Sequence, residues 1–344
     1  PLNIEFLESP LFVIRHSSFV ICIFLLFLPQ ILNTYSIMKK ILFSLLAVAT
    51  LAACSKNDDN GSDSANHLVK KITTKNKDGK LEKVITLTYE GGRPISHSTT
   101  DYVNGVQTGT TRVSTLLYDG RFIKQAKREN AGRDNFVQNF TYENGKLVTK
   151  TEKYERNDYT TTYQYSYAGD QLKSVLQSRP TTIYVNGDVQ SGTYYEERQF
   201  TYRGNTVIEV TTRYEKDLND AVVTRTSYGT DTTTYTLSDG NVVKKVEESR
   251  YSTTVREFTY DTKRNPFHYM TDFVEPDPTN FLDANNGKNN ILTYKNTHEY
   301  NGTKEETLIS FEYTYNADGY PTIVKLYTEE NGVREFNSTI EYEY

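Results

Sequence analysis

The residue of this chain that is best placed for covalent chemistry is Cys54. Its thiol follows an apolar run, residues 41–53, and precedes Ser55 and a series of acids and asparagines. A basic start, Met38-Lys39-Lys40, lies ahead of the run. This order of basic, apolar and small residues is typical of a bacterial secretory signal. The run is much shorter than the roughly 20 apolar residues that cross a bilayer as a helix, so it predicts export and not a membrane span.

The segment Leu51-Ala52-Ala53-Cys54 resembles the lipobox of bacterial lipoproteins. The resemblance implies that the Cys54 thiol receives a diacylglyceryl group and anchors the protein in a membrane. It also implies that the signal, residues 38–53, is removed just before the cysteine. Because Met38 is the first methionine, residues 1–37 are expected to be upstream translation and not protein. The alternative is a genuine N-terminal span through residues 19–28.

The segment after the cysteine is predicted to be a flexible tether, residues 54–66. Residues 55–64 contain no apolar side chain that could be buried, so they should remain solvated. The Ser-Lys-Asn-Asp-Asp start resembles the acidic export signals of Bacteroidetes lipoproteins. That resemblance implies an outer-membrane lipoprotein exposed on the cell surface. An ordinary polar linker on a periplasm-facing lipoprotein is the alternative.

Motifs for other chemistry are missing from the sequence. It contains no nucleophile elbow, P-loop, dinucleotide fingerprint or two-histidine zinc motif, so no cofactor is predicted. With Cys22 in the discarded segment and Cys54 lipidated, neither a disulfide nor a thiolate metal site is expected. A carboxylate pair for glycoside hydrolysis would form only in the fold and cannot be picked out among 44 acidic residues. The histidines of the mature chain share no motif: His67, His97, His268 and His298.

One long interruption, residues 272–290, stands out between predicted strands. Pro276 and Pro278 block ladder pairing, and acids and asparagines fill much of the rest. We predict a surface loop and the first place to look for a partner, because loops of this size are often functional. A cation site is a further possibility, although the ligand spacing matches no known loop. The candidate residues are Asp277, Asn280 and Asp283.

The amino-acid composition predicts the type of secondary structure that positions these candidate side chains. The chain has 28 Tyr, 16 Phe and no Trp, and aromatic and β-branched residues favour strands. Residues 67–344 are therefore predicted to be a β domain. Its 39 basic and 44 acidic side chains are interleaved, without the basic patch of a nucleic-acid-binding protein.

A repeated triplet predicts where strands end. The copies are Phe140-Thr141-Tyr142, Phe200-Thr201-Tyr202 and Phe258-Thr259-Tyr260, with Tyr313-Thr314-Tyr315 as a looser one. Asn-Gly or Asp-Gly follows several such tyrosines, as in residues 142–147 and 118–122, and supplies the positive φ angles of hairpin turns. Several of these tyrosines are about 25 residues apart, which is one hairpin with its connection. In residues 159–167 tyrosine alternates with small or polar residues, which indicates a strand with one aromatic face.

Tyrosine, an acid or asparagine, a glycine turn and an apolar strand opener together resemble the YD repeats of RHS-type proteins. The segments YDTKRNPFHYM (260–270) and YTYNADGYPTIVKL (313–326) are similar to parts of uncharacterised Bacteroidetes lipoproteins with degenerate, tyrosine-rich repeats. The resemblance covers most of residues 81–344 and implies a coiled meander of hairpins. Most copies lack the Gly-Arg-Leu that follows the turn in RHS repeats, and no toxin-releasing core is present.

We therefore predict a mainly β protein, an elongated, coiled antiparallel meander of successive β-hairpins that could roll into an open barrel. A membrane-spanning barrel is not expected, because both faces of strand 146–154 carry charge. The faces inferred from alternation are Val148, Lys150, Glu152 and Tyr154 on one side and Leu147, Thr149, Thr151 and Lys153 on the other.

The predicted function is a lipid-anchored binding or scaffolding module of the cell envelope. Its partner would be an extracellular polymer such as a glycan, or a partner protein, and no nucleic acid. A glycan-active hydrolase or lyase with a carboxylate pair is the alternative. A binder should present an exposed groove, whereas a hydrolase should bring two carboxylates together in a pocket. The sequence does not determine the oligomeric state.

Overall fold

The computed structural model describes residues 68–130, 135–156, 159–185, 188–223, 229–268, 276–330 and 332–344. These residues form one antiparallel sheet of twenty strands and two short 3₁₀ helices, η1 (Asn280–Leu282) and η2 (Ala284–Asn286). The strands are β1 (Lys71–Asn76), β2 (Leu81–Glu90), β3 (Arg93–Val103), β4 (Val106–Gln107), β5 (Arg112–Asp119), β6 (Phe122–Asn130), β7 (Phe136–Glu143), β8 (Lys146–Tyr154), β9 (Thr160–Ala168), β10 (Gln171–Val185), β11 (Asp188–Arg203), β12 (Thr206–Asp217), β13 (Val222–Val223), β14 (Thr230–Ser238), β15 (Asn241–Glu248), β16 (Ser252–Arg264), β17 (Asn289–Tyr300), β18 (Thr303–Tyr315), β19 (Pro321–Glu330) and β20 (Val333–Glu343).

The sheet closes into a barrel. Successive strands pair antiparallel, and β1 also pairs with β20, from Lys71 opposite Glu343 to Asn76 opposite Ser338. The two-residue strands β4 and β13 lie outside the ring, which leaves eighteen strands in the barrel. The predicted meander of hairpins is confirmed. Pairing of the first strand with the last removes the two exposed edges that an open meander would leave.

The two ends of the barrel differ. At one end, here called the base, lie the turn between β7 and β8, the equivalent turns of the other hairpins, and the first and last described residues, Leu68 and Tyr344. The segment between β16 and β17 also leaves the wall at the base. At the other end, here called the mouth, β10 and β11 form the longest hairpin. The chain therefore enters the barrel from the base.

The tight turns at the base have the predicted chemistry. Asn144 and Gly145 both have positive φ angles, 50° and 79°, which is the conformation of a type I′ hairpin turn. The Phe-Thr-Tyr triplets at 140 and 200 lie close to strand ends, as expected. The triplet at 258 differs, because β16 runs on to Arg264 and leads into a long connection instead of a tight turn.

The repeated tyrosines have a common structural role at the base. Seven tyrosines each donate the hydroxyl to a backbone carbonyl 18 to 30 residues earlier, at 2.7 to 3.0 Å. Tyr315 donates to the carboxylate of Asp261 instead. The pairs are Tyr89 to Val69, Tyr118 to Pro94, Tyr167 to Leu147, Tyr202 to Leu172, Tyr260 to Val242, Tyr313 to Ile291 and Tyr344 to Pro321.

Removing one of these hydroxyls should cost about 1 kcal/mol of unfolding free energy, the usual contribution of a single hydrogen bond. In Tyr118→Phe the carbonyl of Pro94 loses its donor, while the ring stays in place. Burial raises the pKa of Tyr118 to about 12, so the hydroxyl remains a donor up to strongly alkaline pH. Urea unfolding would measure the loss. Tyr251→Phe, at a ring that is 63% exposed, is the control and should change nothing; equal effects in both variants would contradict this role.

The inner face of the barrel carries most of the core. Aromatic and aliphatic residues on β5 to β17 form one cluster that includes Phe140, Tyr165, Phe200 and Tyr235. A second, smaller cluster around Val69, Ile72 and Leu87 lies where the first and last strands meet.

The faces predicted for strand 146–154 require a correction. A β-bulge at Val148 places Thr149 opposite Thr141 but Leu147 opposite Tyr142. A bulge adds one residue and shifts the alternation. Leu147 and Lys150 are therefore both buried on the inner face, whereas Lys153 is exposed on the outer face. Simple alternation had separated Leu147 from Lys150.

The outer face is polar on β7 to β9. There it consists mainly of threonine, serine, asparagine, glutamine and lysine: Asn139, Thr141, Thr149, Thr151, Lys153, Thr160, Thr162, Gln164 and Ser166. Hydroxyls on this face pair across strands, as Ser166 does with Ser174 at 2.6 Å. No helix among the residues that the structure describes has the length and hydropathy needed to cross a bilayer.

Candidate binding site in the barrel lumen

The described part of the predicted partner segment is folded against the inner face of the barrel. Residues 276–288, here called the insert, directly precede β17 and contain η1 and η2. Residues 272–275 of the predicted segment lie outside the described residues. The carboxylate of Asp277 accepts hydrogen bonds from the backbone and hydroxyl of Thr279 at 2.9 and 2.8 Å, and from Tyr165 on β9 at 3.3 Å. The insert thus reaches β9, which is six strands of the ring away from β16.

The other two candidate residues of the insert shape its backbone. The side chain of Asn280 donates to the carbonyl of Asp277 at 2.7 Å. The Asp283 carboxylate accepts from the backbone and side-chain nitrogens of Asn285 at 2.9 and 3.0 Å. Such local bonds are the reason why Asp and Asn favour turns. The cation site at these three residues and their role toward a partner stay predictions.

Asparagines fix the insert to the barrel. The side chain of Asn265 donates to the carbonyls of Asn285 and Gly287 at 2.7 and 2.8 Å. Asn241 on β15 accepts from the backbone of Asn289 at 3.0 Å. A Cβ on Gly287 would lie 2.6 Å from the Asn241 oxygen, so only glycine fits there. The insert is therefore a structured plug at the base, where the sequence had predicted a surface loop.

A charged cluster lies where the insert meets β8 and β9. The ammonium of Lys150 is 3.1 Å from Glu152 and 3.7 Å from Asp277, and it lies 4.3 Å from the ring centre of Tyr163. Tyr163 also donates to Glu152 at 3.2 Å. Burial by itself would raise the pKa of Asp277, but Lys150, Arg198 and the Thr279 bonds together hold that pKa below its ordinary value. Asp277 is thus ionised and shares one cation with Glu152.

A second polar cluster lies beyond the insert on β11 to β15. Glu209 accepts from the hydroxyl of Tyr235 at 2.9 Å and lies 4.0 Å from Arg198. Burial, followed by the charge of Arg256, lowers the pKa of Lys245 to about 8. Burial raises the pKa of Asp283 despite its bonds from Asn285. The deepest part of the lumen therefore holds both ionised and easily neutralised groups.

Closer to the mouth, arginines bridge carboxylates across neighbouring strands. Arg213 on β12 contacts Glu196 at 2.9 Å and also pairs with Asp231 on β14. Arg256 on β16 pairs with Glu247 and donates to the hydroxyl of Tyr294 at 3.1 Å.

These inward side chains are not fully buried, since Arg213 and Arg256 are 32% and 30% exposed. Farther toward the mouth on the same face, Tyr194 and Glu215 are only 2% exposed. The inner wall therefore holds both partly accessible and fully buried groups.

The chemistry of this lining suits a polar ligand without a strong net charge. Acids and bases are paired with one another, and tyrosines lie among them, so the wall offers donors, acceptors and aromatic surface. Within the described ranges no group of three or more acidic, histidine or cysteine side chains is arranged to hold a metal ion.

Sequence reasoning missed these lumen residues. The sequence analysis did not single out Glu196 and Arg198, although they alternate with Phe200 on the same face of β11. Charged residues that recur at every second position in phase with buried aromatics are the signal that could have identified them. Cys54 and His67 lie outside the described residues.

Comparison with known proteins gives a family match in the N-terminal part of the sequence, before the strands of the barrel. Residues 38–55 match the prokaryotic membrane lipoprotein lipid attachment site. The chain thus carries the attachment site of a membrane lipoprotein, and the predicted lipoprotein signal is confirmed. Lipidation of Cys54 itself stays a prediction.

Two solved structures are similar in fold, both at 14% sequence identity. They are a porin-like protein from Bacteroides vulgatus (TM-score 0.38, 80% of this chain and 98% of that chain) and one from Bacteroides uniformis (TM-score 0.37, 80% and 96%). No curated protein matches the sequence.

Proposed function

We propose that this protein is a lipid-anchored binding module of the cell envelope that takes a segment of a neutral extracellular polymer, such as a glycan, into the mouth half of its barrel. The supporting observation is the inner wall of paired charges and tyrosines. Glycan hydroxyls can exchange hydrogen bonds with both members of an ion pair, and tyrosine rings offer apolar surface to sugar faces. The insert occupies the base, so a ligand would enter from the mouth.

The direction of the anchor supports this arrangement. The chain enters at the base, and the tether between Cys54 and Leu68 would span about 20 Å on average as a flexible coil. The base would then face the membrane and the mouth would face away from it. The polar outer wall suits a barrel held in water by its tether, since a membrane-spanning barrel presents an apolar band of about 25 Å.

The family proposal is a Bacteroidetes lipoprotein with degenerate YD-like repeats, exposed on the outer surface of the outer membrane. The hydrogen bonds from tyrosine hydroxyls to backbone carbonyls are a physical reason why tyrosine recurs in such a repeat. Protease treatment of intact cells tests exposure, because a surface protein is degraded. Full protection would favour the periplasm-facing alternative.

Changing Cys54 to alanine should leave the signal uncleaved and the protein without lipid, since the thiol is the acceptor. Mass spectrometry of the membrane fraction would show the precursor mass in the variant and a diacylated N-terminus at Cys54 in the wild type. Ser55→Ala is the matched control and should be processed normally. A wild-type protein that retains residues 1–37, or a free Cys54 thiol, would contradict the proposed anchor.

Binding is tested with the purified protein on a glycan array, followed by calorimetry with any glycan that binds. Glu196→Gln should weaken binding at least tenfold because Glu196 faces the lumen and contacts Arg213. Its neighbour Glu197→Gln, on the outer face, should bind like the wild type. Equal affinity of both variants would overturn the lumen site. Chromatography of the bound glycan tests turnover, and new products would support the hydrolase or lyase alternative instead.

A further inference from the structure

The contact between β8 and the insert brings an amine and two carboxylates together in a buried place. Nζ of Lys150 lies 3.7 Å from Oδ2 of Asp277 and 3.1 Å from Oε1 of Glu152. The three side chains are only 6%, 15% and 10% exposed, respectively. Reacting atoms that begin about 3 to 3.5 Å apart are close to attack geometry, and Oδ2 is bonded to the carbon that the amine would attack.

The two oxygens of the Asp277 carboxyl have different surroundings. Oδ1 accepts hydrogen bonds from the backbone N–H and the hydroxyl of Thr279, at 2.9 and 2.8 Å. Two donors on one oxygen stabilise the negative charge that forms there when a nucleophile adds to the carbon. Oδ2 accepts from the hydroxyl of Tyr165 at 3.3 Å and is the oxygen nearest to Lys150. Oδ1 is thus placed as an oxyanion and Oδ2 as a leaving group.

Aromatic rings surround the amine. Phe140 lies opposite Lys150 on β7 and is 4% exposed, and the ring centre of Tyr163 is 4.3 Å from Nζ. An apolar environment disfavours charged groups relative to their neutral forms. Transfer of one proton from the ammonium to the Asp277 carboxylate converts the ion pair into a neutral amine beside a neutral acid. These two groups are the reactants for an amide.

We propose that Lys150 and Asp277 condense to an amide that links β8 covalently to the insert. Nζ bonds to Cγ of Asp277, and the bond between Cγ and Oδ2 breaks to release water. Of the three ammonium protons, one stays on the amide nitrogen and one passes directly to Oδ2. Glu152 removes the third from the nitrogen and returns it to the departing oxygen. Glu152 begins and ends as a carboxylate, and no oxidant or further reactant is consumed.

The ion pair is the reactant state and determines the pace of the reaction. Arg198 and Thr279 stabilise the ionised carboxylate of Asp277, and the ring of Tyr163 favours the ammonium form of Lys150. The neutral pair is therefore a minor state, so freshly folded protein holds the ion pair and the amide accumulates with time. The link fixes the insert to the barrel wall. It depends neither on the lipid anchor nor on a ligand in the lumen.

Peptide mapping tests the link on the protein purified from the membrane fraction, before and after prolonged incubation at neutral pH. Trypsin does not cleave after a lysine whose amine is in an amide, so residues 147–153 should remain one peptide, joined to residues 265–288. The joined species should weigh one water molecule less than the two peptides together, and its amount should rise with incubation. Fragmentation should place the junction at Lys150 and Asp277. Its absence after incubation would overturn the proposal.

Two variants separate the nucleophile from the base. Lys150→Arg keeps the positive charge without a reactive amine, so it should form no link. Glu152→Gln keeps the amine and removes the base, which should slow formation about a hundredfold or more. Circular dichroism should give the strand spectrum of the wild type for both. Linking of Glu152→Gln at the wild-type rate would overturn the role of Glu152, and the wild-type map tests the link even if a variant fails to fold.

The wild type also contains a matched control for proximity. Nζ of Lys146 lies 2.9 Å from a carboxylate oxygen of Asp170, which is 94% exposed. This pair is closer than Lys150 and Asp277, but it lies in water, where the charged forms are favoured. It should stay unlinked in the same digest. Equal yields of both cross-links would show unspecific condensation and would contradict a buried site that promotes its own reaction.

Discussion

Replacing Phe200 by alanine should lower the unfolding free energy by about 3 to 5 kcal/mol, the usual cost of deleting a buried phenylalanine. Phe200 is 7% exposed and belongs to the main core cluster on the inner face. Its neighbours are held by the closed ring of strands and can collapse only partly into the space. The Phe-Thr-Tyr triplet that Phe200 begins was predicted from the sequence to close a strand, and β11 ends at Arg203.

Urea unfolding followed by tyrosine fluorescence or circular dichroism would measure this loss. Gln199→Ala, on the outer face of the same strand, is the matched control and should change stability by less than about 0.5 kcal/mol. If Phe200→Ala cost no more than Gln199→Ala, the inner face would not be the packed face of β11.

Replacing Lys150 by methionine should also cost about 3 to 5 kcal/mol at neutral pH, as expected when one partner of a buried ion pair is removed. The Lys150 side chain is 6% exposed, and it is the shared cation of Glu152 and Asp277. Methionine fills a similar volume, so the loss reports charge and not packing. Lys153→Met, on the outer face of the same strand, is the control and should be nearly neutral.

The pH dependence of this variant distinguishes electrostatics from packing. In the wild type the pKa of Asp277 is lowered, so its contribution is present above the pKa of an unfolded carboxyl and is lost as pH falls through the lower folded value. Without Lys150, burial should raise that pKa, and protonation should relieve the cost as pH falls. The difference in unfolding free energy between wild type and Lys150→Met should therefore be smaller at pH 5 than at pH 7.5. If this difference is the same at both pH values, the loss comes from packing and not from charge.

The sequence by itself determined the local features of this protein. The signal before Cys54 is a linear pattern, and it matches a lipid attachment site. Asn144-Gly145 predicts a hairpin turn because positive φ angles are a property of those two residues. Alternation of tyrosines in residues 159–167 predicts a strand with one buried face, and Thr161, Tyr163 and Tyr165 are buried as that pattern requires.

A single β-bulge changed which residues of β8 share a face, so the alternation predicted from the sequence failed there. The extra residue Val148 shifts the alternation within β8, and its position depends on the pairing with β7. Alternation read along one strand cannot detect it, so Leu147 was assigned to the wrong face.

Only the tertiary structure decided closure and the contents of the lumen. Pairing of β1 with β20 depends on the twist and stagger summed over eighteen strands, and no local segment encodes that sum. The insert looked like a surface loop because its prolines and asparagines are typical of loops, yet Asp277 reaches Lys150 and Tyr165 across the barrel. The pairing of Glu196 with Arg213 could not be predicted, because a sequence does not show which residue lies opposite on the next strand. Closure turned one face of every strand inward, and that made these residues the lining of a lumen.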